Sequence, residues 1–233
     1  MTALAKDPNV GRVLAAAGKL SFLLDRIVLA GGCATGLLIT DPGAAPVRAT
    51  LDVDAIVEIG SYSDWKLLEE QLRQLGFRQP PGDVPICRWI HGDLLLDLMP
   101  TDAAILGFSN RWYRPAMEDP QSTTLGNHQI RLIRAPYFLA TKLEAFRGRG
   151  KNDFRASHDL EDIVSLLDGR PEIVEEVRQA SGDLRLYLAH EFTALIADRD
   201  FLEALPGHLL PDAASQQRVY LVMDRMRQIA AQP

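Results

Sequence analysis

The sequence has very little cysteine and no long apolar run. Its 233 residues include only two cysteines, Cys33 and Cys87, and neither belongs to a CxxC pair. This excludes a disulfide framework and a four-thiolate zinc site. No apolar run reaches the ~18–20 residues that a membrane span needs, and residues 1–12 lack the charged-then-apolar order of a signal peptide. We therefore expect a cytoplasmic protein without a membrane partner.

An excess of positive charge is also missing. The 25 Lys and Arg residues are outnumbered by 31 Asp and Glu residues, which gives a formal net charge of −6. A globally basic protein that coats nucleic acid is excluded, although a local basic patch is not. Hydrophobic residues make up 47% and charged residues 24%, so the chain is not mainly disordered. The length allows one large domain or two small ones.

Hydrophobic periodicity divides the chain near residue 135. We expect strands and helices before that point, with helices over 9–25 and 65–75, another opening near Ala34, and strands over 26–30, 50–59, 86–90, 93–99 and 128–134. After it we expect helices over 136–146, 157–169, 171–180, 183–204 and 212–230, with a basic glycine-rich loop at Arg147–Asn152. The pattern predicts an α/β (α+β) fold with a mixed sheet and flanking helices over 1–135, and a helical domain over 136–233.

Three aspartates in predicted strands are the first candidates for chemistry. Asp52 and Asp54 lie two residues apart, so they share one face of their strand. Asp97 interrupts the apolar run 94–99 of a later strand. Carboxylates on a sheet face are costly without positive charge, and Mg²⁺ prefers carboxylate and phosphate oxygens. If the strands are neighbours, the three acids form a metal site that can hold two ions. The simpler interpretation of an Asp-x-Asp pair is a solvated strand face.

Gly31 and Gly32 directly follow a predicted strand. Glycines there let the backbone approach a phosphate, and the next helix offers free N–H groups. A plain turn is the simpler interpretation. A dinucleotide-binding fold is a further alternative, because Asp52 lies about 20 residues beyond the glycines, but the glycine spacing does not match and Asp54 stays unexplained. The chain has no Gly-Lys-Ser/Thr element, which excludes a P-loop.

The combined motifs resemble a known family. The order of a glycine pair, an Asp-x-Asp pair and a third Asp resembles that of the DNA polymerase β-like nucleotidyltransferase superfamily. Together with motifs of the C-terminal half, it resembles the AbiEii/AbiGii-type toxin nucleotidyltransferases. The segments that carry this resemblance are Gly31-Gly32, Arg48-x-Thr50-x-Asp52-x-Asp54, Ala140–Ala145 and Asp159–Asp162, and it covers about 27–167. The resemblance implies a nucleotidyltransferase-type sheet and a helical domain that closes the nucleotide cleft.

The resemblance also implies a role for each matching residue. Asp52 and Asp54 would hold Mg²⁺, and Asp97 would be the third metal carboxylate and the base toward the acceptor hydroxyl. Lys142 would contact the triphosphate, and Asp159 would be the helical acid, a role that Asp162 one turn away could also fill. The remaining substrate-binding candidates are Gly31, Gly32, Cys33, Arg48 and Thr50. Many relatives have serine where this chain has Cys33, and a thiol is a weaker hydrogen-bonding group.

The reaction implied is transfer of a nucleoside monophosphate from an NTP to RNA (tRNA), protein or a small molecule, in a toxin paired with a cognate antitoxin. A catalytically silent nucleotide- or partner-binding member and a phosphotransferase using the same cleft are alternatives. Arg131, Arg134 and the loop Arg147–Lys151 could form a basic strip for RNA phosphates. Among the aromatic residues, Trp89, Trp112 and Tyr113 could stack a base, although core packing is the simpler interpretation.

Overall fold

A computed structural model describes residues 7–82, 85–150 and 153–232. The chain forms two compact units. The first, here called the sheet unit, comprises Pro8–Ala34 and Arg48–Arg134; the second, the helical unit, is built around Ala135–Pro233 and includes Thr35–Val47. In the part of the chain that the structure describes, no helix combines the length and apolar character required to cross a bilayer.

One six-stranded mixed sheet forms the centre of the sheet unit. Its strands are β1 (Ile27–Ala30), β2 (Asp52–Val57), β3 (Arg88–His91), β4 (Leu94–Pro100), β5 (Gln121–Leu125) and β6 (His128–Leu132), in the order β3-β4-β2-β1-β6-β5. β2 runs parallel to β4, and β1 runs parallel to β6, whereas the pairs β1–β2, β3–β4 and β5–β6 are antiparallel. This confirms the predicted mixed α/β architecture.

The described part of the sheet unit has five helices that belong to it or begin in it: α1 (Val10–Lys19), α2 (Gly31–Leu38), α3 (Tyr62–Gln74), α4 (Ala103–Leu106) and α5 (Tyr113–Glu118). The apolar side chains of the central strands, among them Val53, Ala55 and Leu96, are fully buried. The strand predicted over 50–59 begins only at Asp52, and Leu51 before it is 69% exposed. The helix predicted over 9–25 ends at Lys19 and is followed by turns.

Among the residues that the structure describes, the helical unit contains seven further helices and a short 3-10 helix. They are α6 (Ala135–Arg149), α7 (His158–Gly169), α8 (Ile173–Gln179), α9 (Gly182–Ala197), α10 (Arg199–Ala204), the 3-10 helix Leu205–His208, α11 (Ala213–Gln217) and α12 (Val219–Ala230). Ser157 caps the start of α7, since its hydroxyl accepts the backbone N–H of Leu160. The predicted helix over 183–204 is two helices, because the Asp198 side chain caps the start of α10.

The basic glycine-rich segment after Phe146 is largely helical. α6 continues through Arg149, so the loop predicted to begin at Arg147 is shorter than expected. Lys151 and Asn152 lie outside the described residues.

Candidate active site

Three neighbouring strands of the sheet unit bring charged side chains into one row, and β1 adds Ala30 beside it. The register aligns Ala30 of β1 with Asp54 of β2. It also aligns Asp54 with Asp97 of β4, and Asp97 with Arg88 of β3. Residues directly opposite each other present their side chains on the same face, and Asp52, two residues before Asp54, shares it. The three predicted carboxylates therefore lie on one face of the sheet.

Arg88 ties two of these carboxylates together. Its Nε donates to Asp97 Oδ1 at 2.8 Å and its Nη2 donates to Asp97 Oδ2 at 2.7 Å, which is a two-pronged pair. The same Nη2 lies 2.6 Å from Asp52 Oδ2. The side chains of Asp97, Arg88 and Asp52 are 9%, 21% and 27% exposed, so water screens these contacts only in part. The carboxylates and the guanidinium therefore form one coupled charge cluster.

The charges in this cluster stabilise one another. Burial alone would raise the pKa of Asp52, but the Thr50 hydroxyl, which donates to Asp52 Oδ1 at 2.6 Å, and the charge of Arg88 outweigh burial and lower that pKa. Arg48 adds a smaller effect in the same direction. The hydrogen bonds to Asp97 raise the pKa of Arg88 above its ordinary value. Asp52 is thus held in its ionised form.

Arg88 was not among the residues singled out from the sequence. The signal that could have found it is the predicted hairpin, because pairing 86–90 with 93–99 around Gly92 places a basic residue opposite Asp97.

The start of α1 holds Thr50, and with it Asp52, in place. Asn9 is fully buried, donates to the carbonyl of Arg48 at 3.1 Å and accepts the Thr50 N–H at 2.9 Å. Arg12 Nε donates to the Thr50 carbonyl at 2.8 Å. These contacts join positions about 40 residues apart in sequence, so no local pattern identifies them. They fix the backbone from which the Thr50 hydroxyl reaches Asp52.

Gly31 allows the Asp54 carboxylate to lie against the backbone. Gly31 has φ +62°, and a Cβ built on it would lie 1.9 Å from Asp54 Oδ2. No side chain fits there, and an L-residue would also be strained at that φ. α2 begins at Gly31 itself, earlier than the expected start near Cys33. The carboxylate therefore lies at a helix N-terminus, where negative charge is favoured.

Both cysteines are buried. The thiol of Cys33 donates a hydrogen bond to the backbone carbonyl of Ala30, three residues earlier, at 3.2 Å. Burial, with the negative charges of Asp97 and Asp54, raises the pKa of Cys87 to about 12. Cys87 is therefore a neutral thiol beside the carboxylates.

The donor set fits a hard divalent cation after a small rearrangement. Within the described residues, no three His, Cys, Asp or Glu side chains already stand in position to hold a metal ion. Asp52 Oδ2 and Asp97 Oδ2 instead lie 2.6 and 2.7 Å from the same nitrogen of Arg88. Mg²⁺–oxygen distances are roughly 2.0–2.1 Å, so a cation at that position needs each oxygen to move inward by about half an ångström.

The helical unit brings Lys142, Asp159 and Asp162 together. Lys142 Nζ on α6 donates to Asp159 Oδ1 at 3.2 Å and to Asp162 Oδ2 at 2.6 Å, both on α7. These three side chains are 8%, 8% and 2% exposed. Arg149, which is 74% exposed, donates to both oxygens of Asp159 at 3.1 and 3.0 Å. Two cations thus balance two buried carboxylates.

Electrostatics keeps Asp159 ionised within this cluster. Burial would raise its pKa, but the charges of Lys142 and Arg149 outweigh burial and lower it. The position of Asp159 in the first turn of α7 also favours its negative charge. Sequence reasoning found every member of this cluster except Arg149, which it had assigned to a loop.

The arginines of the predicted basic strip bond to their own units. Arg131 donates to the carbonyls of Asp25 and Met117, each at 2.8 Å. Arg134 pairs with Asp119 at 2.8 Å. These bonds engage the guanidinium groups that were expected to face RNA phosphates.

The aromatic candidates pack into the sheet unit. Trp89 and Trp112 are 0% and 7% exposed, and the Tyr113 hydroxyl contacts Met99 Sδ at 2.9 Å. Core packing, the simpler interpretation, therefore describes the two tryptophans.

Comparison with known proteins adds structural similarities at low sequence identity. No protein-family model and no curated protein sequence matches the chain. A crystal structure of an antigenic nucleotidyltransferase-like protein from Paracoccidioides brasiliensis is similar at a TM-score of 0.49 and 20% identity, covering 84% of this chain and 92% of that one. A crystal structure of JHP933 from Helicobacter pylori is similar at 0.47 and 14% identity, covering 95% and 91%.

Proposed function

We propose that this protein is a Mg²⁺-dependent nucleotidyltransferase that moves a nucleoside monophosphate from an NTP to an acceptor and releases pyrophosphate. The observation that carries the proposal is the row of carboxylates, in which Asp52, Asp54 and Asp97 share one sheet face. Three carboxylates on one face, one of them against the backbone of Gly31, are typical of a site for a metal–triphosphate complex. A strand face that only contacts water would need neither a glycine at position 31 nor a buried Asp97.

Each residue has a defined task in this proposal. Asp52, Asp54 and Asp97 would hold one or two Mg²⁺ ions, which neutralise the triphosphate and stabilise the leaving oxygens when bound. Asp97 also orients the acceptor hydroxyl and accepts its proton. Thr50, held by Asn9 and Arg12, keeps the Asp52 carboxylate ionised and in position.

Backbone N–H groups and basic side chains are the proposed ligands of the phosphate groups. The N–H groups of Gly32 and Cys33 at the start of α2 would face phosphate oxygens, because helix N-termini favour anions. Arg48 would add positive charge near Asp52. From the family resemblance alone we propose that Lys142 contacts the triphosphate; within the helical unit, Asp159 and Asp162 hold its ammonium group in one position.

The acceptor class and biological role follow from the family resemblance. We propose RNA, in particular tRNA, or a protein as acceptor, and a toxin role with a cognate antitoxin. An antitoxin gene adjacent to the gene for this chain would support that role.

A silent nucleotide-binding protein is the second candidate function. The specific observation in its favour is that Arg88 already satisfies Asp52 and Asp97, and that Asp159 and Asp162 satisfy Lys142. Such a protein would bind NTP without transferring any part of it.

Label transfer with the full chain tests the proposed reaction. Incubation with α-³²P NTPs, Mg²⁺ and total RNA should label RNA, protein or the chain itself, and Asp52→Asn and Asp54→Asn should reduce labelling by at least about a hundredfold. Asp93→Asn, an exposed carboxylate in the β3–β4 turn, is the matched control and should keep full activity. Transfer of γ-label instead of α-label would identify a phosphotransferase. Nucleotide binding without any transfer would identify the silent protein.

A further inference from the structure

The guanidinium of Arg88 lies where a divalent cation would have to bind. Its Nη2 contacts Asp52 and Asp97 at once, and its Nε takes the second oxygen of Asp97. Three of the carboxylate oxygens available to a metal are therefore already bonded to one side chain. A cation placed between Asp52 Oδ2 and Asp97 Oδ2 would compete with this guanidinium, because both are positive and Nη2 already occupies that position.

We infer that Arg88 is an internal counter-cation that holds Asp52 and Asp97 ready and is displaced when a metal–nucleotide complex binds. This inference rests on the proposed function, since it takes the row of carboxylates as the metal site. It makes Arg88 both a positioning residue for the carboxylates and a competitor of the cation.

The position of Arg88 in the fold permits the displacement. β3 is the edge strand of the sheet, and the Arg88 side chain is 21% exposed. Its backbone is held by the pairing with Asp97 in β4, so the side chain can rotate toward solvent while the strand remains paired. The long arginine stem has several rotatable bonds, and such motions are fast.

Nucleotide should favour the displaced state. A guanidinium released from two carboxylates is a strong two-pronged ligand for phosphate oxygens. The triphosphate would then supply oxygens to the cation and an acceptor for Arg88 in the same event. The cation should consequently bind weakly alone and much more tightly together with nucleotide, and this dependence should require the charge at position 88.

The electrostatics of the row explains why such a counter-cation is needed. Asp54 and Asp97 are directly opposite each other, and like charges in that relation repel. Asp97 is also only 9% exposed, so an unpaired charge there is costly. Without Arg88 the row loses the positive charge that contacts Asp52 and Asp97, so a cation that enters the row meets less competition.

Binding of Mn²⁺ to the full chain, followed by electron paramagnetic resonance, tests the inference without an activity measurement. Mn²⁺ affinity is measured for the wild type, Arg88→Met, Arg88→Lys and Arg78→Met, with and without a non-hydrolysable NTP analogue. Arg78 is an exposed arginine whose backbone bridges Ile90 of β3, so Arg78→Met is a matched control. Circular dichroism establishes that each variant is folded.

Arg88→Met should bind Mn²⁺ roughly tenfold more tightly than the wild type without nucleotide, and the analogue should then tighten binding less than it does in the wild type. Arg88→Lys, which keeps the charge but loses the fork, should lie between them, and it decides the question if Arg88→Met does not fold. Equal Mn²⁺ affinity in the wild type and the Arg88 variants would overturn the inference and leave the proposed function standing. Absence of Mn²⁺ binding in all variants, even with the analogue, would overturn both.

Discussion

At the residue scale, the site depends on a few positions where only one side chain fits. Gly31 is the strictest, because its positive φ and the Asp54 carboxylate both exclude a Cβ. The glycine motif is therefore a steric requirement of the carboxylate row as well as a proposed phosphate approach.

We predict that Gly31→Ala destabilises the protein by about 2–4 kcal/mol, since it combines left-handed strain with a clash against Asp54. Urea unfolding followed by circular dichroism measures the change. Gly11→Ala in α1 is the control, because a Cβ there meets nothing within 4 Å, and helix propensity makes it neutral or stabilising. An unfolding midpoint for Gly31→Ala equal to that of the wild type would show that the backbone approach to Asp54 is not required.

At the element scale, α6 and α7 are joined by a buried ion cluster. Lys142 lies between Asp159 and Asp162, and all three side chains are less than a tenth exposed. Clusters of this kind are costly to break from one side, because the partner charges stay buried without compensation.

We predict that Lys142→Met lowers the free energy of unfolding by about 3 kcal/mol, because it removes the ammonium group that contacts both buried carboxylates, Asp159 and Asp162. Thermal and urea unfolding would measure the loss. Lys66→Met, at a lysine that is 50% exposed and pairs with Glu69, should change stability much less. If both variants unfold alike, Lys142 is not a structural cation and its proposed role with triphosphate alone would explain its position.

Elements themselves were predicted unevenly, for identifiable reasons. β2 was predicted because its apolar residues alternate with aspartates, and β4 because apolar residues surround a single aspartate. β5 was missed, because Gln121-Ser-Thr-Thr-Leu125 is polar and half exposed, and it is a strand only by pairing with β6 at the edge of the sheet. Pairing of this kind is a tertiary fact that a local pattern does not contain.

At the scale of the whole molecule, carboxylates that pair with cations make the stability of the fold depend on pH. The Arg218 hydrogen bond, with the N–H of Gly43, lowers the pKa of Asp41. Lys142 and Arg149 outweigh burial and lower the pKa of Asp159. Both groups bind protons less readily in the folded chain than in the unfolded one, so folding is favoured where they are ionised.

We predict that the melting temperature is constant from pH 7 down to about pH 5 and falls as the pH drops through and below the ordinary aspartate pKa near 4. The sign follows because each lowered pKa contributes stability above the unfolded value and loses it as the pH falls through the folded value. Calorimetric scans between pH 7 and pH 2.5 measure the profile. Asp41→Asn should flatten it, whereas Asp93→Asn should not; a melting temperature that rises with acid would contradict the prediction.

The sequence by itself determined which residues are candidates for binding or catalysis and where most helices and strands lie. Asp52, Asp54 and Asp97 stand out because they interrupt apolar strand patterns, and Gly31 and Gly32 because they follow an apolar strand. Lys142, Asp159 and Asp162 were singled out by the family resemblance. Only the tertiary structure decided how these residues are compensated. Arg88 between Asp52 and Asp97, and Asn9 and Arg12 on Thr50, are contacts made across strands and helices. A charge can be recognised one residue at a time, but the partner that makes its burial tolerable is chosen by the packing of the whole unit.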